Sequence, residues 1–161
     1  MNVYLLRHAE AGAAPRDEER ELTAHGRAQA AAVAGGIRWL DLGITAIISS
    51  PLPRARQTAQ PVADALGRAL ETVDGLTTGQ RPAHGIALLA GRGDGLLLVG
   101  HEPQLSGIIS MATGGRVHLR KAMLAALECS ALEATDGALA WLLAWHHLER
   151  LGRKQVRKPR S

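Results

Sequence analysis

The chain has 161 residues and a formal net charge of +4, with 46% hydrophobic residues but only 2% aromatic residues and no Phe. This length predicts one domain with an aliphatic core, and the scarcity of aromatic side chains argues against nucleic-acid modules that stack bases on rings. No apolar run approaches the roughly 18–20 residues that span a bilayer, and no signal peptide is recognisable. Cys129 is the single cysteine and cannot form an internal disulfide. We therefore expect a cytoplasmic protein without a membrane partner or a specific nucleic-acid partner.

The first predicted element is a buried strand at residues 2–6, which stops abruptly at Arg7 and His8. Ligands of open α/β sheets bind at the carboxyl ends of the strands. An Arg offers a planar fork of donors to phosphate oxygens, and a His ring nitrogen can attack phosphorus. Taken alone, the dipeptide is also compatible with a solvated strand end.

A polar loop is predicted over residues 10–21, followed by a helix that Thr23 caps and that continues to Leu40. A second apolar strand at residues 44–49 stops at Ser50. The helix that follows carries Arg54 in its first turn, where free backbone N–H groups favour a bound anion, and it continues to residue 66.

The third strongly apolar strand, at residues 96–99, stops before His101 and Glu102. The remaining elements rest on weaker patterns. They are strands at residues 70–73, 122–127 and 138–144, and helices at residues 82–90 and 104–113.

Three apolar runs that are each followed by a helix predict βαβ units and an α/β fold with a mostly parallel central sheet. The carboxyl ends of these strands would bring two Arg, two His and a helix N-terminus to one edge. Such a site suits a phosphoryl group, because phosphoryl transfer is catalysed mainly by positioning and charge stabilisation. One His would attack phosphorus and water would release phosphate. No Cys/His metal-ligand spacing is present, so we expect no metal and no cofactor.

Four segments resemble the histidine phosphatase superfamily, in the order that the family shows. They are LRHAE at residues 6–10 (RHG-type signature, with Ala9 for the usual Gly), LTAHG at residues 22–26, SPLPRARQTA at residues 50–59 and VGHEP at residues 99–103. The short chain resembles the small SixA-type phosphohistidine phosphatases.

The resemblance implies a three-layer αβα sandwich of the phosphoglycerate mutase-like type. It implies that His8 is the phosphorylated nucleophile and that Arg7, Arg54 and His101 form the phosphate pocket. Arg20 matches an Arg that often lies beside the pocket in this branch. Two further candidates for contact with the substrate are Ser50 and Glu102, although Glu102 could equally orient the His101 ring or face solvent.

Larger members of the family supply a carboxylate proton donor in the region that here reads LTTGQ at residues 76–80, without a carboxylate; Asp74 lies nearby. A missing donor suits a leaving group such as imidazole. The sequence therefore predicts a metal-independent phosphohydrolase, with a histidine-phosphorylated protein as the preferred substrate. The alternatives are a phosphatase or mutase for a small phosphorylated metabolite, and a phosphate- or phosphoprotein-binding module without turnover.

We expect a single catalytic domain over residues 1–150 and a flexible tail over residues 151–161. The tail region is basic. The cationic residues at this end of the sequence are Arg150, which is the last residue of the predicted domain, and Arg153, Lys154, Arg157, Lys158 and Arg160 in the tail.

Overall fold

The structure is a computed structural model that describes residues 1–131 and 135–156. Its centre is a sheet of six strands in the described part of the chain. They are β1 (Asn2–Arg7), β2 (Ala46–Ser49), β3 (Leu70–Thr72), β4 (Leu96–Gly100), β5 (Leu124–Glu128) and β6 (Ala138–Leu143).

The strands lie in the order β3-β2-β4-β1-β5-β6, and the first four are parallel. Strand β5 is antiparallel to both of its neighbours. The prediction of a mostly parallel α/β sheet is thus confirmed. In this order β2, β4 and β1 are adjacent, with Arg7 paired to Gly100 and Ser49 to Val99, so the carboxyl ends of the three strands lie side by side.

Helices cover both faces of the sheet. They are α1 (Ala24–Leu40), α2 (Pro53–Leu66), α3 (Pro82–Leu89), α4 (Gln104–Thr113) and α5 (Trp145–Val156). Successive residues of a strand point to opposite faces: Leu6 joins the core beneath α1, α2 and α5, whereas Leu5 joins the core beneath α3 and α4. This is the three-layer αβα arrangement that the resemblance implied. None of the helices among the described residues combines the length and the apolar character that crossing a bilayer requires.

Helix α5 differs from the expected C-terminal tail. Residues 151–156 continue this helix, while residues 157–161 lie outside the described residues. The helix packs closely on α1: Leu148 is fully buried, and a Cβ on Gly36 would lie only 2.5 Å from the Leu148 Cβ. The glycines that lower helix propensity in α1 therefore permit the contact that stabilises α5.

Candidate active site

His8 lies in the loop that leaves β1, and only 5% of the residue is exposed. Its Nδ1 is 2.7 Å from the carbonyl oxygen of Ala9. A carbonyl oxygen can only accept, so Nδ1 donates its proton and Nε2 keeps its lone pair in the neutral ring. Burial first, and then the charges of Arg54 and Arg7, lower the pKa of His8 to about 4, although the Ala9 hydrogen bond acts in the opposite direction.

The loop that contains His8, at residues 8–11, is held by side chains from two helices. Thr58 Oγ1 accepts from the Ala9 N–H at 3.0 Å and donates to the Arg54 carbonyl at 2.7 Å. Gln29 Oε1 accepts from the Glu10 N–H at 2.9 Å. These contacts satisfy buried backbone groups and fix the position of His8 relative to α2.

Gly26 permits a close approach between α1 and this loop. A Cβ added at Gly26 would lie 1.9 Å from the Glu10 carbonyl oxygen, a distance at which backbone must shift. Thr23 caps the helix, because its Oγ1 accepts from the Gly26 N–H at 2.9 Å. The LTAHG segment therefore caps and begins α1, and it packs against the His8 loop.

We expect Gly26→Ala to lower the free energy of unfolding by about 2–3 kcal/mol, because the new methyl group displaces the loop. Urea unfolding measures this effect. Gly12→Ala is the matched control, since a Cβ there would lie no closer than 3.7 Å to its neighbours. Equal stabilities of the two variants would contradict the close approach.

Arg54 is 2% exposed, and both Nη atoms of its guanidinium donate to a single residue, Asp17. Its Nη1 donates to the Asp17 carbonyl at 2.6 Å, and its Nη2 donates to Asp17 Oδ2 at 2.8 Å. Arg7 is held similarly, because its Nη1 donates to the Leu119 carbonyl at 2.8 Å. The Nε atoms of both arginines are buried and lack a partner within the described chain, so each presents an Nε–H group that an anion could satisfy.

His101 follows β4, and its ring centroid is 5.1 Å from that of His8. Burial, followed by the charges of His8 and Arg54, lowers the pKa of His101 to about 3. Its Nε2 is 2.8 Å from Ser50 Oγ, while its Nδ1 is buried and lacks a partner among the described residues. If the Ser50 hydroxyl donates to Nε2, then Nδ1 carries the proton and adds a third buried donor to those of the two arginines.

Ser50 and Glu102, the two other residues predicted to contact the substrate, have different hydrogen-bond partners. Ser50 Oγ contacts His101 and accepts from the Leu52 N–H at 3.3 Å. Glu102 Oε1 accepts from the Leu119 N–H at 3.3 Å, and the carbonyl of Leu119 is the acceptor for Arg7. Glu102 therefore contacts the backbone that anchors Arg7.

Arg20 lies at the side of the pocket. Its Nε donates to the Gly12 carbonyl at 2.8 Å, and its Nη1 donates to Asp17 Oδ1 at 3.1 Å. Its charge also contributes to the lowered pKa of His8. The structure thus brings Arg7, His8, Arg20, Arg54, Ser50 and His101 to one edge of the sheet.

A model of the histidine phosphatase superfamily (branch 1) matches residues 3–78. A candidate SixA phosphohistidine phosphatase from Agrobacterium tumefaciens has a solved structure that superimposes with a TM-score of 0.77 at 29% identity, over 89% of this chain and 97% of that chain. The chain belongs to the histidine phosphatase superfamily. Within that superfamily it falls in the SixA-type branch.

Two curated sequences extend this comparison. An uncharacterised protein of Picosynechococcus sp. is 34% identical over 143 residues, which cover 81% of this chain and 87% of that protein. A candidate phosphoglycerate mutase, GpmB, of Erwinia tasmaniensis is 44% identical over 72 residues, which cover 42% of this chain and 33% of that protein. This second match therefore covers less than half of the chain.

Asp17 is the carboxylate that sequence reasoning missed in this superfamily member. It lies in a 3-10 turn, Asp17–Glu19, among charged residues that look like a solvated loop. Asp74 begins a second 3-10 turn, Asp74–Leu76, and is exposed. The described residues contain no group of three or more His, Cys, Asp or Glu side chains arranged to hold a metal ion.

We expect the His8 ring to stay neutral between pH 5 and pH 8, because its pKa is lowered to about 4. The unfolded chain takes up this proton below about pH 6.5 and the folded chain does not, so His8 makes the protein less stable as the pH falls from 6.5 to 4. Nitrogen-15 NMR of the ring measures the titration, and a His84→Ala sample helps to assign the histidine signals. A His8 midpoint near 6.5 would contradict the buried neutral ring.

Proposed function

We propose that this protein is a phosphohydrolase that forms a phosphohistidine intermediate on His8, and that its substrate is a phosphohistidine on another protein. The observation that carries the proposal is the state of the His8 ring. Its Nδ1 proton is committed to the Ala9 carbonyl, so the Nε2 lone pair is available near the buried, unpartnered Nε atoms of Arg7 and Arg54 and the unpartnered Nδ1 of His101.

In the first step, Nε2 of His8 attacks phosphorus, a new N–P bond forms, and the bond between phosphorus and the substrate breaks. The Nε–H groups of Arg7 and Arg54 and the Nδ1–H group of His101 would donate to the phosphoryl oxygens. Donors that are fixed before the reaction stabilise the charge of the transition state without reorganisation. The Ala9 carbonyl stabilises the positive charge that develops on the His8 ring.

In the second step, water attacks phosphorus and the His8 N–P bond breaks. The ring recovers its lone pair on Nε2, the water proton leaves with phosphate or passes to solvent, and the site returns to its starting state. The same donors serve both steps, because the phosphoryl group remains in one place while the leaving and attacking atoms exchange.

The choice of a phosphohistidine substrate rests on the leaving group. An alkoxide needs a proton from a general acid, whereas an imidazole whose second nitrogen carries a proton leaves as a neutral ring. Residues 76–80 contain no carboxylate. Burial tends to raise the pKa of Asp17, but hydrogen bonds from Arg20 and Arg54 hold it below its usual range, which makes Asp17 a poor acid.

A substrate panel tests the proposal. It contains a histidine-phosphorylated protein, a phosphotyrosine peptide and 3-phosphoglycerate. We expect the largest kcat/KM for the phosphohistidine protein. Efficient hydrolysis of 3-phosphoglycerate without hydrolysis of phosphohistidine would contradict the assignment of the substrate.

The second candidate is a phosphatase or mutase that acts on a small metabolite. The partial match to the candidate phosphoglycerate mutase supports it. A mutase returns the phosphoryl group to an organic acceptor, so product analysis separates it from a phosphatase that releases inorganic phosphate. Acid-labile phosphate trapped on the protein distinguishes both enzymes from a module that binds phosphate without turnover.

A further inference from the structure

Asp17 reaches the candidate phosphate pocket from outside the three strand ends. Its side chain is 54% exposed, yet its carboxylate contacts Arg54, whose side chain is 2% exposed. One residue supplies two acceptors to the same guanidinium: the backbone carbonyl accepts from Nη1 at 2.6 Å and Oδ2 accepts from Nη2 at 2.8 Å. The contact is therefore bidentate and fixes the plane of the guanidinium.

The geometry of arginine determines what this contact leaves available. A guanidinium has five N–H groups, and a contact through Nη1 and Nη2 occupies its end. The remaining edge consists of the Nε–H and the second N–H of Nη2. The Nε of Arg54 is buried without a partner in the described chain, so this edge is the one that can donate to an anion.

The second oxygen of the same carboxylate extends the contact to another arginine. Oδ1 of Asp17 accepts from Arg20 Nη1 at 3.1 Å. Arg20 also donates to the carbonyls of Gly12 and Ala11, at 2.8 Å and 3.3 Å, at the end of the His8 loop. Asp17 thus joins two arginines from different segments and fixes their separation.

We propose that Asp17 is a positioning residue that holds the end of Arg54 so that the Nε edge faces the phosphoryl group. The inference rests on the proposed function, since it assigns Asp17 a part in the same reaction. Asp17 does not touch the reacting atoms; it acts through Arg54. Its negative charge also opposes the binding of a phosphoryl dianion, so its removal would affect positioning and affinity in opposite directions.

Two variants separate these effects. Asp17→Asn keeps both acceptors for Arg54 but removes the charge, and Asp17→Ala keeps only the backbone acceptor. Glu18→Ala is the control, because Glu18 lies on the same exposed turn and its ion pair is with Arg16 at 3.7 Å. Kinetics are measured on the best substrate of the panel, and the affinity for inorganic phosphate is measured by calorimetry.

We expect Asp17→Ala to lower kcat by about 10- to 100-fold without raising KM, because a misplaced Arg54 affects the transition state more than ground-state binding. Asp17→Asn should retain kcat within about threefold, and both variants should bind inorganic phosphate at least as tightly as the unchanged protein. Rescue by Asn, together with phosphate binding that is not weakened, is a result that simple loss of folded protein would not give.

A kcat of Asp17→Ala equal to that of Glu18→Ala would overturn the inference. If Asp17→Ala does not fold, Asp17→Ser replaces it, because its hydroxyl is too short to reach the end of Arg54. The phosphate titration keeps this test separate from the proposed function. If the unchanged protein hydrolyses no substrate, the proposed function fails. The inference about Asp17 then depends on phosphate binding alone. It survives if Asp17→Ala and Asp17→Asn differ from each other in phosphate affinity while Glu18→Ala binds phosphate like the unchanged protein, and otherwise it fails too.

Discussion

His8→Ala is expected to lose hydrolysis by about 10⁴-fold or more while it still binds inorganic phosphate. The variant removes the nucleophile, and removal of a nucleophile eliminates the covalent route rather than weakening one contact. The arginines and His101 remain, so the donors for phosphate are kept. Steady-state kinetics and calorimetry measure the two effects on the same preparation.

The control for this variant is His84→Ala, which removes an exposed ring on α3 and should leave kcat unchanged. A brief reaction with labelled substrate, followed by alkaline denaturation, should retain acid-labile label on the unchanged protein and none on His8→Ala. Full activity of His8→Ala would eliminate the proposed mechanism, whatever the substrate.

Arg54→Ala is expected to lower kcat/KM by about 10³-fold, because an arginine that stabilises a transferring phosphoryl group contributes effects of this size. Arg54→Lys restores the charge but not the planar Nε edge, so we expect it to recover only part of the loss. Steady-state kinetics on the substrate panel, with calorimetry of inorganic phosphate, give the measurement.

Arg56→Ala provides a matched comparison on the same helix. Arg56 lies two residues after Arg54 and is exposed, so its loss removes the same charge from α2 without touching the pocket. Its kcat/KM should stay within about threefold of the unchanged protein. If both variants lost activity equally, the effect would come from the overall charge of α2 and not from the position of Arg54.

The parts of the fold that were predicted from sequence are those with a strong local pattern. The runs that become β1, β2 and β4 are apolar and end at polar residues, so both their burial and their ends are recognisable. No local sequence pattern predicts that β5 runs antiparallel to β1. This direction follows from the helix-free segment at residues 114–123, which returns to the His8 edge, where the Ala122 N–H bonds the carbonyls of Arg7 and His8.

Helix α5 and the Asp17 contact were not predicted, for a related reason. A sequence pattern predicts whether a segment is buried or exposed to solvent. These two features depend instead on which residue of another segment lies next to them in the folded protein. Leu148 is buried because glycines in α1 let the helices approach, and Asp17 looks like one of several solvated acids until the buried end of Arg54 is placed beside it.

The position of β1 determines when this protein can assemble during synthesis. Its two neighbours in the sheet are residues 96–100 and residues 124–128, so β1 pairs only with segments that are made much later. On the ribosome, the strand that precedes His8 therefore waits without these sheet partners until residues 96–100 and then residues 124–128 have been made. Pairings between residues so distant in sequence slow folding, and an incomplete nascent chain displays an apolar β segment that chaperones can bind.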